Sequence, residues 1–494
     1  MSLGADVAYA FRTIARNRLT SGAVILTLAL GIGINTAVFS IVYGILLRPL
    51  PYAAPEQLMQ VWLSNPRQDI ERDITSYPNF RDWRERSRTF DALAGVSGRR
   101  VTLLGRTGAE EVTGAEVTED YFRVLGVAPL HGRLLRPEDH MAGTAPVTVL
   151  SHELWMSRFG GGPVIGSTLE TDGATYEIVG VLPEGIGDAR LYMPLEQNPA
   201  RQELLEARGA LFLPVLGRLR DGVSVEDAQR EMSAIAAQLE AEYPQANDGM
   251  GIYIEPLRDS VVGDTRAVLI LLLSAVGVVL LIACANVANV LLARSTARRR
   301  EMAVRVALGA GRLRLLRQVM TESLVLAFVG ALAGIGVAAW TLDLLMAAAP
   351  ADLPRADEIR LDGVALAFTG TVAVVAGLLF GAAPAWQVAR REPGGVLGGS
   401  VRGDVGARDR LRSALVVSQY ALALVLVAGA ALLVRSFAEL QRVDIGLQTG
   451  GVVSFTLSPS PQRYEGATGV QSFYDEVLPA IEAVPGVHSA SLVN

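Results

Sequence analysis

The sequence contains no lysine: all 44 basic residues among its 494 are arginine. A GxxxxGK[ST] phosphate-binding loop, a protein kinase, a Schiff-base enzyme and an SxxK acylase each require a lysine, so these classes are excluded for this sequence. The single cysteine excludes an intramolecular disulfide and a paired-cysteine metal site. Charged residues make up only 19% of the chain, whereas about 25% is usual in soluble domains.

The apolar half of the composition is concentrated in long runs. Crossing a bilayer takes about 20 apolar residues, and five uncharged stretches are long enough: 19–47, 267–293, 323–342, 363–389 and 413–434. The first run is too long for the apolar region of a signal peptide. The sequence therefore predicts an integral membrane protein, an α-helical transmembrane bundle with five spans and a large α+β extracytoplasmic domain between spans 1 and 2.

Arginines in the short loops predict the orientation of the spans. Residues 294–317 hold eight arginines and one acidic residue, and residues 390–412 hold six arginines and three acidic residues. We therefore expect the N-terminus (1–18), the loop 294–322 and the linker 390–412 to face the cytoplasm. The short loop 343–362 would then lie outside, and the chain would be a multi-pass protein of the bacterial inner membrane.

The segment 48–265 is the predicted extracytoplasmic domain. It has 21 arginines and 33 acidic residues and no apolar run of spanning length. Runs rich in β-forming residues at 147–150 and 176–182 predict strands. Apolar residues three and four apart predict a helix over 224–243, with Ser224 as its N-cap and Pro244 after its end.

The fifth span resembles a second beginning. A glycine-rich linker precedes it, and the arginines before it echo those before span 1. Beyond it, residues 435–494 predict the start of a second outer domain, with a strand at 452–457 and a helix at 473–484. About 60 residues are too few for a substantial core. We expect the sequence to be a fragment, or to lack a partner half.

The loop 294–322 holds the most informative pattern. Residues 296–308 can form a short basic helix with one apolar stripe that includes Met302. Gly309 and Gly311 permit a sharp reversal into residues 312–318, which would lie at the membrane interface. The arginines fit a basic loop that only sets topology beside anionic lipid, whereas the apolar stripe favours a docked protein partner. The residues alone leave both interpretations open.

Polar and small residues inside the spans predict helix packing. Asn35, Asn286 and Asn289 lie in apolar runs, where an amide is costly unless it is hydrogen-bonded, so we expect contacts between helices. Two GxxxG patterns would let helices approach closely: Gly330 with Gly334, and Gly377 with Gly381. The four histidines show no metal-ligand spacing, and no catalytic motif is present. We therefore predict no catalytic, cofactor-binding or metal-binding residues.

Several motifs resemble the FtsX/MacB-type ABC transporter permeases, specifically their acidobacterial duplicated orphan subgroup. The similar segments are LALGIGINTA (28–37), LRPLPY (47–52), FRVLGV (122–127), VLSHELW (149–155), EIVGVLP (177–183), EMAVRVALGAG (301–311) and FGAAPA (380–385). The resemblance implies a MacB-like periplasmic core domain at 48–265 and an FtsX-like permease domain at 266–389. Members of the subgroup have eight spans, so the last three spans and a second coupling loop would be absent here.

The resemblance also implies a cytoplasmic coupling helix that docks on a separate ATPase subunit, which binds the ATP. The implied coupling residues are Arg300, Glu301, Ala303, Val304, Arg305, Ala307, Leu308 and Gly309. The expected function is a permease subunit that couples ATP hydrolysis to movement of the outer domain, for export or mechanotransmission. The expected partners are the ATPase and the lipid bilayer, with a second permease half or a periplasmic adaptor as further candidates and no nucleic acid.

Two other function classes were weighed against the permease. A membrane-anchored sensor would bind a ligand outside and recruit an effector through its arginine-rich loops, but it would need a larger cytoplasmic output module. A membrane-tethered outer enzyme would need a polar constellation, which the sequence does not offer.

Overall fold

The computed structural model describes residues 3–105, 108–141, 143–171, 174–263, 265–297, 312–348, 359–389, 402–442, 452–453 and 466–491. The chain divides into two compact units, which are treated separately here. The membrane unit comprises Met1–Arg48 and Val262–Thr449, and the outer unit comprises Pro49–Val261 and Gly450–Asn494.

The helices of the described residues are given in chain order. They are α1 (Leu3–Arg16), α2 (Arg18–Val42), α3 (Tyr77–Arg86), α4 (Tyr121–Leu125), α5 (His152–Phe159), α6 (Gln202–Glu206), α7 (Val225–Glu242), α8 (Leu257–Val262), α9 (Thr265–Ala297), α10 (Arg312–Ala348), α11 (Gly363–Ala389), α12 (Arg402–Gln441) and α13 (Gly466–Glu482). A π-helical turn, Tyr43–Leu47, extends α2.

The strands of the described residues belong to the outer unit. They are β1 (Leu58–Asn65), β2 (Ile70–Asp73), β3 (Phe90–Gly105), β4 (Gly108–Val117), β5 (His131–Gly132), β6 (Val147–Leu150), β7 (Thr168–Thr171), β8 (Ala174–Val181), β9 (Leu191–Pro194), β10 (Val215–Leu219) and β11 (Gly251–Pro256). They form one mixed sheet in the order β11-β1-β10-β3-β4-β9-β6-β8-β5, with β2 beside β1 and β7 beside β3 and β8.

Among the described residues five helices are long and apolar enough to cross a membrane, which confirms the predicted fold class of a five-span protein with a large mixed α/β domain between spans 1 and 2. Their apolar stretches are Arg18–Leu47, Thr265–Arg294, Leu313–Ala347, Gly363–Ala382 and Val416–Ser436. We refer to them as spans 1 to 5. The protein is thus a multi-pass membrane protein.

The start of span 3 differs from the sequence-based expectation. Residues 312–318 were expected to lie at the membrane interface ahead of a span that begins at 323, and α10 runs continuously from Arg312 to Ala348. The first turns of α10 contain no glycine or proline, and Thr321 Oγ1 donates to the carbonyl of Arg317 as in an uninterrupted helix. The helix of span 3 therefore includes Arg314 and Arg317 near its start.

The cores of the membrane unit lie between its helices. One apolar cluster joins α2, α9, α10 and α11 around Leu28 and Ile32, both fully buried, with small residues such as Ala327 and Ala376 facing them. A second cluster joins the other end of α2 to α9 and α10 around Ala37 and Ile45. Pairing large side chains with small ones lets these helices interlock closely.

The outer unit packs helices on both faces of its sheet. On one face of β1, β10 and β11, α3 and α7 bury Phe80, Trp83 and Met232. On the other face, α4 packs Tyr121 and Phe122 against strands that include β9 and β10. Alternate residues of a strand point to opposite faces, so β1 contributes Leu58 to one core and Met59 to the other.

Serine residues begin three helices of the outer unit. The hydroxyls of Ser76, Ser151 and Ser224 accept hydrogen bonds from the backbone N–H three residues later, which satisfies one of the free donors of a helix N-terminus. The predicted helix 224–243 with its Ser224 cap is confirmed as α7. The predicted strand 147–150 is β6, and the strand predicted at 176–182 is β8, which begins two residues earlier.

In the second outer segment, α13 begins at Gly466, seven residues before the predicted helix 473–484, and ends at Glu482. Most of the predicted strand 452–457 lies outside the described residues.

A side-chain amide covers the free edge of β11. In the described part of the chain β11 is an end strand of the sheet. Gln229 of α7 donates from Nε2 to the carbonyl of Ile252, at 2.7 Å, and accepts at Oε1 from the N–H of Ile254, at 2.9 Å. The amide thus pairs with the strand as a neighbouring peptide group would.

Candidate coupling region in the membrane unit

The predicted coupling residues, Arg300 to Gly309, lie outside the described residues. The two helices that flank them are described: α9 ends at Ala297 and α10 begins at Arg312. The geometry of the region is therefore built from these two flanks and from the N-terminal helices that contact them.

The flank on α9 is tied to the junction between α1 and α2. Arg294 Nη2 lies 3.5 Å from the carbonyl oxygen of Asn17 and 3.4 Å from Ser21 Oγ. Asn17 has non-helical angles, φ −115° and ψ 56°, which separate the two helices. Arg294 thus donates to the point at which the chain changes direction before span 1.

The flank on α10 is tied to α1 itself. Arg317 donates to Asp6 Oδ2 from Nε at 2.9 Å and from Nη2 at 2.8 Å. The Asp6 side chain is 11% exposed and that of Arg317 is 44% exposed. An ion pair with one nearly buried partner is screened less by water than a surface pair.

Residues 1–18 were predicted only to be a cytoplasmic N-terminus, and neither Asp6 nor Arg317 was among the predicted site residues. A sequence signal for α1 does exist, because Val7, Ala10, Phe11 and Ile14 recur at helical spacing. Ala10 is buried, whereas Phe11 is exposed. No local pattern, however, indicates that Asp6 pairs with a residue 311 positions away.

The predicted packing glycines of span 3 lie against span 1. A Cβ on Gly330 would stand 2.7 Å from Leu28 Cβ, and one on Gly334 would stand 3.1 Å from the carbonyl oxygen of Ala29. A Cβ on Gly33 of span 1 would come within 2.6 Å of the Gly334 carbonyl oxygen. The two backbones are therefore as close as glycine permits.

The predicted glycines of span 4 lie against span 3. A Cβ on Gly377 would stand 2.9 Å from Leu324 Cδ2, and one on Gly381 would stand 2.9 Å from Met320 and Ser323 side-chain atoms. Span 3 thus packs closely on both span 1 and span 4.

Polar side chains link span 1 to spans 2 and 4. Asn35 donates from Nδ2 to the carbonyl oxygens of Gly31 in its own helix and Val276 in span 2, each at 2.8 Å. The hydroxyls of Thr36 and Thr369 lie 3.0 Å apart between spans 1 and 4. These buried groups are satisfied across the helix interfaces, as polar groups in an apolar medium require.

The two asparagines predicted to pack span 2, Asn286 and Asn289, differ in their hydrogen bonding. Asn286 Oδ1 accepts from Gln419 Nε2 of span 5 at 2.9 Å, and the same amide lies 3.3 Å from the carbonyl of Ile282. Asn289 Oδ1 is buried without a hydrogen-bond partner among the described residues. Gln419, which the sequence analysis did not identify, thus attaches span 5 to span 2.

Charged groups of the outer unit form networks in its interior. Glu116 is buried and accepts from Arg99, Arg201 and Asn198. In a neighbouring cluster, His140 Nδ1 lies 2.7 Å from Glu196 Oε2, and Tyr77 donates to Glu196 Oε1 at 3.1 Å.

Burial, reinforced by the charge of Glu196, raises the pKa of Tyr77 far above its usual value. Removing one arginine from a buried carboxylate such as Glu116 would leave an uncompensated charge, which is strongly destabilising. Among the described residues no group of three His, Cys, Asp or Glu side chains is arranged to hold a metal ion.

Two family models match the chain. The MacB-like periplasmic core domain matches residues 21–235, and the FtsX-like permease C-terminal domain matches residues 273–393.

Among curated relatives, the macrolide export ATP-binding/permease protein MacB 2 of Aeromonas hydrophila is 26% identical over 58% of this chain, which spans 43% of that relative's length. An uncharacterised ABC transporter permease, YknZ of Bacillus subtilis, is 23% identical over 80% of this chain and 98% of its own. The periplasmic region of MacB from Actinobacillus actinomycetemcomitans aligns with 45% of this chain and 95% of its own at 15% identity and a TM-score of 0.33.

Proposed function

Because the chain belongs to the FtsX/MacB-type family of ABC transporter permeases, we propose that it is the membrane subunit through which ATP hydrolysis on a cytoplasmic partner moves the outer unit. The movement would serve export or mechanotransmission. The ion pair between Asp6 and Arg317 is the observation that supports this proposal beyond the family match. It ties a flank of the predicted coupling loop to α1, the helix that precedes span 1.

A partner that pushes on the loop would act on four helices at once. Arg294 connects α9 to the start of α2, and Arg317 connects α10 to α1. At Gly33 and Gly334 the backbones of spans 1 and 3 are too close to admit a Cβ atom on Gly33. Packed helices move as bodies rather than deforming continuously. We therefore expect displacement of the loop to move span 1, whose chain continues directly into the outer unit.

We assign ATP hydrolysis to a separate ATPase subunit. These 494 residues lack the lysine that a GxxxxGK[ST] loop needs to bind the phosphates of ATP. The arginine-rich loops support an orientation with the N-terminus in the cytoplasm of a bacterial inner-membrane protein.

Co-purification tests the proposal. The detergent-extracted full-length protein should carry an ABC ATPase subunit from its source cells. Arg305→Glu combined with Leu308→Asp should abolish this association, because it reverses a charge and removes an apolar contact in the loop. Arg402→Glu with Val405→Asp makes the same changes in the other arginine-rich segment and should leave the ATPase bound. Failure of the unaltered protein to bind any ATPase, or equal loss in both double variants, would overturn the proposal.

A further inference from the structure

The connector between span 1 and the outer sheet is short and conformationally restricted. It runs from Pro49 to Gln57, and its prolines at 49, 51 and 55 fix φ and restrict the residue before each of them. Ala54 adopts the left-handed region, with φ 42° and ψ 62°, which a residue other than glycine rarely does. Such a conformation persists only where its surroundings hold it.

Arg218 of β10 makes several of the contacts that hold the connector in this conformation. Its guanidinium donates from Nη2 to the carbonyl of Ala53 at 2.6 Å, and from Nη1 to the carbonyl of Ala54 at 3.3 Å and to Gln57 Oε1 at 3.2 Å. Nε donates to the carbonyl of Val124, in the last turn of α4, at 2.8 Å. One side chain thus fastens the connector to β10 and α4 together.

The chemistry of this contact is unusual for a buried arginine. Arg218 is 9% exposed, and the hydrogen-bond partners described for it are neutral oxygens. Burial lowers the pKa of its guanidinium. An apolar side chain of similar size would avoid the cost of burying a charge, but it could not orient three carbonyl groups at once. The planar fork of donors is therefore suited to fixing geometry.

The end of α4 is shaped to admit this contact. Gly126 follows α4 with φ 64°, and a Cβ there would stand 2.9 Å from Ala53 Cβ and 3.3 Å from Arg218 Nη2. Glycine is required both by the left-handed conformation and by the close approach of the connector. The connector, α4 and Arg218 thus form one tightly packed joint inside the outer unit.

We propose that Arg218 is a positioning residue for force transmission: it makes the connector after span 1 rigid with the outer sheet, so that movement of span 1 is passed to that sheet instead of being absorbed in the connector. This inference rests on the proposed permease function. Without the joint, Tyr52 and Ala53, which are neither proline nor directly followed by proline, would take up the displacement by rotation about their backbone bonds.

Hydrogen exchange of the complex with its ATPase, with and without a non-hydrolysable ATP analogue, tests the inference. The unaltered complex should show a nucleotide-dependent change in exchange in β10 and α7. Arg218→Met should lose that change while ATPase binding and basal hydrolysis stay as in the unaltered complex, a separation that a merely structural defect would not produce. Arg220→Met is the matched control, because Arg220 lies two residues along and bonds to the Phe90 carbonyl instead.

Two milder variants keep the test decisive if Arg218→Met does not fold. Arg218→Lys keeps the charge but has a single donor nitrogen, and Gln57→Leu removes one acceptor; each should reduce the nucleotide-dependent change. A full response in the folded Arg218 variants, or no response in the unaltered complex, would overturn the role of Arg218. If the unaltered protein does not bind an ATPase at all, that result would instead contradict the proposed permease function.

Discussion

The way in which an arginine side chain stabilises this protein depends on how exposed the side chain is to water. Arg317 is partly exposed and forms an ion pair with the nearly buried Asp6, so its contribution depends on charge. Arg218 is buried among neutral oxygens and contributes through the direction of its hydrogen bonds. Substitution by lysine would keep the first type of contact in part and lose the second, because only arginine offers a planar fork.

At the residue scale, the Asp6–Arg317 pair predicts an interaction that charge exchange should rescue. Asp6→Arg or Arg317→Asp alone should loosen α1 and increase tryptic cleavage at Arg12, because each leaves two like charges together. The double exchange should restore most of the protection. A double-mutant cycle on the cleavage rates should give a coupling energy of about 1 kcal/mol. Additive effects of the two changes would show that the pair does not hold α1.

Glu231 on α7 predicts a pH-dependent contribution to the outer unit. It accepts hydrogen bonds from the N–H groups of Arg88 and Thr89 and from the Ser87 hydroxyl. Burial alone would raise the pKa of this carboxyl, but the hydrogen bonds to Thr89, Arg88 and Ser87 outweigh it and hold the pKa below that of a free glutamate. The ionised form therefore stabilises the fold fully at a pH above the pKa of the unfolded chain, and the contribution is lost as the pH falls through the lowered pKa.

Glu231→Gln should accordingly lower the free energy of unfolding at pH 7 by about 2 kcal/mol. The difference from the unaltered protein should shrink in acid, where both side chains are uncharged. Native-state hydrogen exchange of residues 87–89 measures this locally. Glu226→Gln, at the exposed start of the same helix, is the control and should cost well under half as much. An equal loss at every pH would contradict the role of the carboxylate charge.

At the scale of elements, close packing in the membrane unit depends on which glycine faces a neighbour. Gly33 and Gly22 both belong to α2, yet a Cβ on Gly33 would collide with the backbone of span 3, whereas nothing lies within 4 Å of a Cβ on Gly22. The GxxxG spacing identified the partners on span 3, Gly330 and Gly334. It gave no indication of Gly33, because which face of α2 meets span 3 depends on the packed structure.

This contrast predicts opposite outcomes for the same substitution. Gly33→Ala should destabilise the membrane unit by about 1–3 kcal/mol, because the backbone of span 3 must move away. Gly22→Ala should be neutral or stabilising by up to about 1 kcal/mol, since alanine favours helix more than glycine does. Titration of the detergent-solubilised protein with sodium dodecyl sulfate gives both values. Equal unfolding midpoints for the two variants would show that spans 1 and 3 separate without cost.

Elements with a strong local pattern were predictable, and those set by distant contacts were not. Ser224 and the apolar spacing after it define α7 from the sequence alone. The spans follow from their length and hydropathy. By contrast, Asp6 with Arg317 and Gln419 with Asn286 are separated by 311 and 133 positions. Each of these residues is of a type common on surfaces or in spans. The pairing of two such residues can therefore be seen only in the folded structure.

At the scale of the whole molecule, the proposed orientation predicts which surfaces an impermeant reagent can reach. In a Cys284→Ser background, a cysteine introduced by Glu226→Cys should react with a membrane-impermeant maleimide in intact spheroplasts. A cysteine introduced by Arg408→Cys should react only after permeabilisation. The reverse pattern would invert the topology and remove the coupling loop from the reach of a cytoplasmic ATPase.

The hydrogen bonds of the Gln229 amide to the edge of β11 also protect the outer unit while it folds. In the proposed orientation the sheet assembles outside the membrane, where partly folded copies of the chain offer strands that could pair with an open edge. Because α7 precedes β11 in the sequence, the residue that closes this edge is made and delivered before the edge itself. Among the described strands β11 comes last in the sequence, so Gln229 is available to pair with its edge as soon as the strand forms, which shortens the interval in which that edge can pair with a neighbouring chain.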